Sequence, residues 1–219
     1  MSEEVAVYTL AEKFKSVQGE GQYAGTPMAF FRFVGCSVGK KVCHACDTDF
    51  EKVLPWLGGG EMTALEIIDF AEPYKHICLT GGEPFDQDVE PIFSAASGQM
   101  IHLETSGTLK LPHFIAAYQK IWNGTKAWVC CSPKPGFLEE TVLAADEVKV
   151  VVPGLGSGAG WPTLEDAKRW ASFGKKVYLQ PRNGKHTIDV DNLAVCEELV
   201  AENPELRLSV QLHKLLEVR

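Results

Sequence analysis

Apolar residues fall along the chain in short runs. The segments AFFRFV at 29–34, HICLT at 76–80, MIHLET at 100–105, AWVCCS at 127–132, DEVKVVV at 146–152, KVYLQ at 176–180 and LRLSVQ at 206–211 are rich in β-branched and aromatic side chains, and most are near-continuously apolar. Strands have that pattern when both faces are covered, as in parallel sheets layered by helices. Between them, apolar positions follow a helical period over 63–74, 89–97, 111–120, 163–173 and 190–202. The first of these opens with Thr63 and Glu66 at capping-box spacing. Strands alternating with helices predict an α/β fold, either a barrel or a doubly wound sheet. No repeat, linker or composition break divides residues 1–219, so one domain is expected. In such folds the reactive groups sit on loops leaving the carboxyl ends of the strands.

Composition narrows the function. With 45% hydrophobic and 23% charged residues the chain is that of a globular protein, which excludes disordered and fibrous classes. Lys and Arg number 21 against 29 Asp and Glu, and the net charge of −8 argues against nucleic acid and anionic membranes as partners, leaving a small molecule as the expected substrate. No stretch approaches the ~18 apolar residues of a membrane span, and the start MSEEVAVYTL carries acid where a secretory signal carries base. The expected compartment is the cytoplasm. Seven cysteines, an odd number, do not suggest a disulfide framework. Cys78, Cys130 and Cys131 lie in strand-like runs and are expected to be small buried hydrophobes. Cys36, Cys43 and Cys46 instead crowd the loop GCSVGKKVCHACDT that follows the first run, and suggest metal ligation. Three thiolates are one short of a closed site. A structural zinc would need a fourth ligand such as His44, whereas a [4Fe–4S] cubane on three cysteines leaves one iron open to an exogenous chelate. The close pair Cys43 and Cys46 suits either metal.

Further segments appear in order over nearly the whole chain: SVQGEGQYAGTP at 16–27, FFRFVGC at 30–36, CHACDT at 43–48, TGGEP at 80–84, LETSGT at 103–108, CSPKP at 131–135, YLQP at 178–181 and LSVQLHKLL at 208–216. QGEG followed by FxR and a cysteine triad ending in CDT is far more specific than any single piece. In these segments the chain resembles the 7-carboxy-7-deazaguanine synthases, a family of radical S-adenosylmethionine (SAM) enzymes of deazapurine and queuosine biosynthesis. Six residues separate Cys36 from Cys43, where related activases have three. That departure bears on loop shape more than on cluster binding. The chain is also short for the superfamily, which implies a trimmed, partial (β/α)6-type barrel.

The resemblance implies a lyase that converts 6-carboxy-5,6,7,8-tetrahydropterin to 7-carboxy-7-deazaguanine with loss of ammonia. Cys36, Cys43 and Cys46 would hold the [4Fe–4S] cluster, whose open iron chelates SAM. Gly81 and Gly82 would let backbone approach the methionine moiety, Glu83 would accept from its ammonium, and Thr105, Ser106, Ser132 and Lys134 would serve the ribose or carboxylate. Gln18 and Glu20 would read the amide edge of the pterin, Arg32 its carboxylate, and His213, beside Gln211 and Lys214, would stand on the substrate side. Thr48, next to Asp47, would join substrate oxygens around Mg²⁺. The carboxylate of Arg219 is close enough in sequence to reach the same mouth. An arginine in an apolar run must meet either a ligand or an internal acid, and both remain open for Arg32. A flavodoxin-like electron donor and a homodimer are further implications. Two alternatives stand beside this one: a glycyl-radical-enzyme activase, and a zinc-binding module without catalysis.

Overall fold

The computed structural model describes residues 5–43, 46, 48–153, 155–158 and 160–218. Nine strands share one sheet: β1 (Val7–Val17), β2 (Pro27–Phe33), β3 (Gly60–Thr63), β4 (His76–Gly81), β5 (Met100–Thr105), β6 (Lys126–Cys131), β7 (Glu147–Val152), β8 (Lys176–Pro181) and β9 (Arg207–Leu208). Their spatial order is β3-β1-β2-β4-β5-β6-β7-β8-β9, and every neighbouring pair from β2 to β9 is parallel. Among the described residues no ladder joins β3 to β9, so the arrangement is the expected partial barrel.

The helices are α1 (Ala64–Ala71), α2 (Glu90–Ala95), α3 (Ile115–Gln119), α4 (Glu139–Ala144), α5 (Leu164–Ser172), α6 (Val190–Glu202) and α7 (Leu212–Leu215). Thr63 caps α1 and Thr163 caps α5, each in a reciprocal capping box with the acid three residues on, which satisfies two otherwise orphaned backbone donors per helix. Along each central strand one set of alternate residues joins the main core: Phe31 and Phe33, Ile77 and Leu79, Ile101 and Leu103, Val129 and Cys131, Val148 and Val150, Val177 and Leu179. The helices contribute Ile67, Ile92, Ile115, Val142 and Trp170 to the same cluster. The other set faces inward, and that set carries the chemistry.

Several elements differ from expectation, among them the short helix α7, which no periodicity announced. β1 and β3 were not foreseen, because KFKSV in β1 interleaves lysines with apolar residues and has no continuous run. Strand β1 forms because the 18–26 turn folds it back antiparallel on β2, from Val17 opposite Pro27 to Leu10 opposite Phe33, with a bulge between Leu10 and Glu12. Helix α4 is six residues long, too short to express a period, and α3 is shorter than the 111–120 pattern. The 206–211 run keeps only Arg207 and Leu208 in the sheet. Beyond them the chain turns across the barrel mouth, where Leu212 N–H donates to Gly19 O at 2.8 Å.

Candidate active site

A cavity of about 640 Å³ opens at the carboxyl ends of the parallel strands. Its floor is the inward set of strand residues: Phe30 and Arg32 of β2, Cys78 and Thr80 of β4, Glu104 of β5, Lys149 and Val151 of β7 and Gln180 of β8. Its rim comprises the 17–20 turn, the cysteine loop, Trp161, and the segment with Gln211, His213 and Lys214. No helix among the described residues is long and apolar enough to cross a membrane.

The cysteine loop leaves β2 and folds back on itself. Cys43 N–H donates to Gly39 O at 3.1 Å and Cys46 N–H to Cys43 O at 3.0 Å, so the extra residues are taken up by a turn. Gly35 N–H anchors the loop start on Phe50 O at 2.9 Å, and Ser37 N–H on the Asp86 carboxylate at 2.6 Å. Cys36, Cys43 and Cys46 are all half-buried thiols outside any disulfide, and the latter two line the cavity. Burial raises the Cys43 thiol, the Lys134 ammonium opposes the rise, and Cys46 and Cys36 add to it. The three thiols therefore share one neighbourhood. Among the described residues no three His, Cys, Asp or Glu side chains converge as ligands of a single ion. A cubane takes each thiolate on a different iron, and three half-buried thiols on one loop, two of them facing the cavity, are the donor set that such a cluster takes. His44, Asp47 and Arg219 lie outside the described residues.

The β4 turn packs on the start of that loop. A Cβ at Gly81 would collide with the backbone of Arg32 and Phe33, and one at Gly82 with Gly35 O. Gly81 also has φ of 100°, where side chains are strained. Backbone packing by itself thus requires glycine at both positions. Glu83 is 2% exposed, and its carboxylate accepts from Thr105 Oγ1 at 2.7 Å, from Ser106 N–H at 2.8 Å and from Ser106 Oγ. It ties the β4 turn to the end of β5, and neither it, Thr105 nor Ser106 lines the cavity. Ser132 and Lys134 do. Lys134 Nζ donates to Ser132 O at 2.8 Å and Oγ at 2.6 Å and stands 6.0 Å above the Trp161 ring, and burial lowers its pKa.

On the other side of the cavity, Arg32 meets an internal acid and also faces the opening. Its Nε, buried and misaligned for a hydrogen bond, is 2.8 Å from Glu12 Oε1, its Nη1 donates to Thr48 Oγ1 at 2.8 Å, and the guanidinium lies over Phe14. Gln18 Nε2 donates to Glu104 Oε1 at 3.3 Å, and Gln18 Oε1 accepts from Glu20 N–H at 3.3 Å. Glu20 Oε1 accepts from Gln211 Nε2 at 2.5 Å and Gln180 Nε2 at 3.2 Å, while its Oε2 pairs with Lys149. Burial alone would raise the Glu20 carboxyl, but the Lys149 charge, with hydrogen bonds from Lys149 and Gln211, brings it to about 2. His213 is seated on Gly19, whose missing Cβ leaves room for the imidazole.

Curated relatives resolve the choice among these chemistries. The chain is 32% identical over 230 residues to "7-carboxy-7-deazaguanine synthase" of Bradyrhizobium diazoefficiens, covering 97% of this chain and 99% of that one. It is 34% identical over 215 residues to the synthase of the same name from Bacteroides thetaiotaomicron, covering 95% and 97%. The chain belongs to the 7-carboxy-7-deazaguanine synthase family. The crystal structure of QueE from Escherichia coli superposes with a TM-score of 0.66 at 25% identity, covering 94% of this chain and 95% of that one. No family model matches. Membership makes the chain a radical SAM lyase of the queuosine pathway and disfavours the activase and zinc-module alternatives.

Against that family background, the geometry gathers Gln18, Glu20, Arg32, Thr48, Ser132, Lys134, His213, Cys43 and Cys46 around one cavity. Sequence reading missed Glu104, Lys149 and Gln180. The signal for Lys149 was present: a lysine in the middle of EVKVVV is as costly to bury alone as Arg32 in FFRFV, and by the same reasoning demands a partner.

Proposed function

We propose that this cavity converts 6-carboxy-5,6,7,8-tetrahydropterin to 7-carboxy-7-deazaguanine with loss of ammonia, using a [4Fe–4S] cluster, SAM and Mg²⁺. The observation that carries this reading is the placement on one cavity of Cys43 and Cys46, two thiols of the cysteine loop, with an array of acids, amides and a guanidinium suited to a flat, polar, acidic ring. Cys36, Cys43 and Cys46 would hold the cluster. When bound, that cluster supplies the electron that cleaves SAM to methionine and a 5′-deoxyadenosyl radical.

The chain's own residues bind, orient and shield. Ser132 and Lys134 offer the SAM side a hydroxyl and an ammonium beside Cys43. Glu83 acts through its hold on Thr105 and Ser106, fixing the end of β5 relative to the glycine turn. Glu20 and Glu104, each paired with Lys149, accept from N–H groups of the ring, and Gln18, Gln180 and Gln211 fix the direction of those carboxylates. Arg32 presents a fork to the substrate carboxylate, with Glu12 holding the guanidinium from behind. Thr48 supplies one neutral oxygen that already accepts from Arg32, so Mg²⁺ would bind there with substrate oxygens and water rather than to the protein alone. His213 closes the cavity over Gly19. The apolar floor of Phe30 and Val151 keeps water from the reacting carbon. A flavodoxin-like donor, a homodimeric state and a cytoplasmic location belong to the same proposal, and the family resemblance supports them.

The test is an anaerobic incubation of protein reconstituted with iron and sulfide, given a reductant, SAM, Mg²⁺ and the tetrahydropterin. The expected result is a product of the mass of 7-carboxy-7-deazaguanine that forms only with SAM. SAM cleavage with the pterin left intact would overturn the assignment.

A further inference from the structure

Lys149 is the innermost charge of the cavity. It projects from the middle of β7, is 5% exposed, and places Nζ between Glu20 Oε2 of the 17–20 turn and Glu104 Oε2 of β5, the latter at 2.9 Å. The remaining oxygens of the two acids point away from the ammonium, Glu104 Oε1 to Gln18 and Glu20 Oε1 to Gln180 and Gln211. One cation thus serves two carboxylates that both line the cavity.

Two carboxylates that share one ammonium and are each less than a fifth exposed resist ionising together once that cation is removed, and one of them then keeps a proton. A protonated acid donates where an ionised one only accepts. Resting on the reading of the cavity as a pterin site, we propose that Lys149 is a positioning residue that holds Glu20 and Glu104 ionised together, so that these two side chains offer acceptors alone to the N–H edge of the ring. Lys149 is the ammonium seen bridging both acids among the described residues. Arg32 on β2 is spent on Glu12 and Thr48, and Lys134 after β6 on Ser132. The further groups facing the pair are Cys78 on β4, Cys130 on β6, Glu147 on β7 and His213 on α7. The thiols, pushed well up by burial, stay neutral.

The test uses reconstituted, anaerobic protein and 6-carboxy-5,6,7,8-tetrahydropterin as the probe. Its affinity is measured by equilibrium binding from about pH 6 to about pH 9, and the substrate-free thermal midpoint over the same range. Relative to wild type, Lys149→Met should bind at least about ten-fold more weakly at the acid end and recover by up to about ten-fold per pH unit as the shared proton leaves. Its substrate-free midpoint should fall over that rise in pH, because the folded pair then carries two unbalanced charges. Lys149→Arg should follow the wild-type profile, and Lys149→Met with Glu104→Gln, which removes one acid, should lose the pH dependence in both readouts. Pterin affinity and midpoint in Lys149→Met that track wild type across the range would overturn the proposal. Should Lys149→Met not fold, the double variant carries the test, and its failure to fold as well counts against charge balance as the role of Lys149. A wild-type protein that binds no pterin would sink the functional reading, while the substrate-free arm would still decide the role of Lys149.

Discussion

The two faces of the parallel strands are built from the same short runs and do opposite work. On β5, Ile101 and Leu103 are wholly buried against the helices, while His102 and Glu104 between and beyond them face inward. On β7, Val148 and Val150 flank Lys149, and on β2, Phe31 and Phe33 flank Arg32. The helix side stabilises by removing apolar area from water, which is non-directional and tolerant of substitution. The inner side holds charges in pairs, which costs desolvation and contributes little net stability, but fixes which atoms a ligand meets. The inner face is itself divided along the barrel. Toward the carboxyl ends it is polar, and toward the amino ends Tyr23 sits edge-on against His102 and Trp128, at 4.7 and 5.0 Å between ring centres, with His76 Nδ1 2.9 Å from His102 Nε2.

That division can be broken at several points. Cys43→Ala, at the cavity rim, should abolish cluster assembly, whereas Cys131→Ala, in the helix-side core with its thiol pushed up by burial to about 12, should leave iron content per chain unchanged. Iron analysis after anaerobic reconstitution separates them. Phe31→Ala should cost about 3–5 kcal/mol of unfolding free energy in a denaturant titration while sparing pterin affinity per folded molecule. Arg32→Ala should do the reverse, weakening pterin binding by about 10–100-fold, the worth of a charged hydrogen bond, while slow SAM cleavage persists.

Acid sharpens the contrast within the inner face. Burial, helped by His76, holds His102 down from 6.5 to about 3, so the folded protein refuses a proton that the unfolded chain accepts. Stability attributable to His102 is therefore complete above pH 6.5 and declines as pH falls from there toward 3, by at most about 1.4 kcal/mol per pH unit. Glu20, with its pKa lowered to about 2, loses its contribution only below about 4.5. A thermal midpoint that drops between pH 6.5 and 5 in wild type, and drops less steeply in His102→Asn, where His76 is still held down by burial, is the expected outcome. The smallest effect lies outside both faces: Thr63→Ala removes the α1 cap and should cost about 1 kcal/mol, with iron content and binding untouched.

Much of this was legible in the residues. The parallel strands and α6 lie close to where period and apolar runs place them, because helices and sheet bury matching faces and tertiary packing agrees with local pattern. Strand β1 was hidden because its pairing partner, not its own periodicity, makes it a strand. The triad and Arg32 stood out because each breaks a rule of its neighbourhood, thiols crowded into a loop and a cation in an apolar run, whereas Glu20 entered through the family resemblance. Lys149 breaks the same rule, yet its partners lie 129 and 45 residues away, and no local spacing announces them. The role of the TGGEP glycines was the least legible. What they touch is the backbone of Arg32, Phe33 and Gly35, a contact made only by the parallel pairing of β4 with β2.

In the proposed site the chain supplies three thiolates to a cluster and leaves one iron to SAM beside a charged pocket floor. Mössbauer and electron paramagnetic resonance spectra of the reconstituted, reduced protein, recorded before and after addition of SAM, test it most directly. The account predicts about four irons per chain, with one iron site distinct from the other three and a spectrum that shifts on SAM addition. A tetrahedral zinc in the triad, or a cluster whose spectrum SAM leaves unmoved, would contradict it.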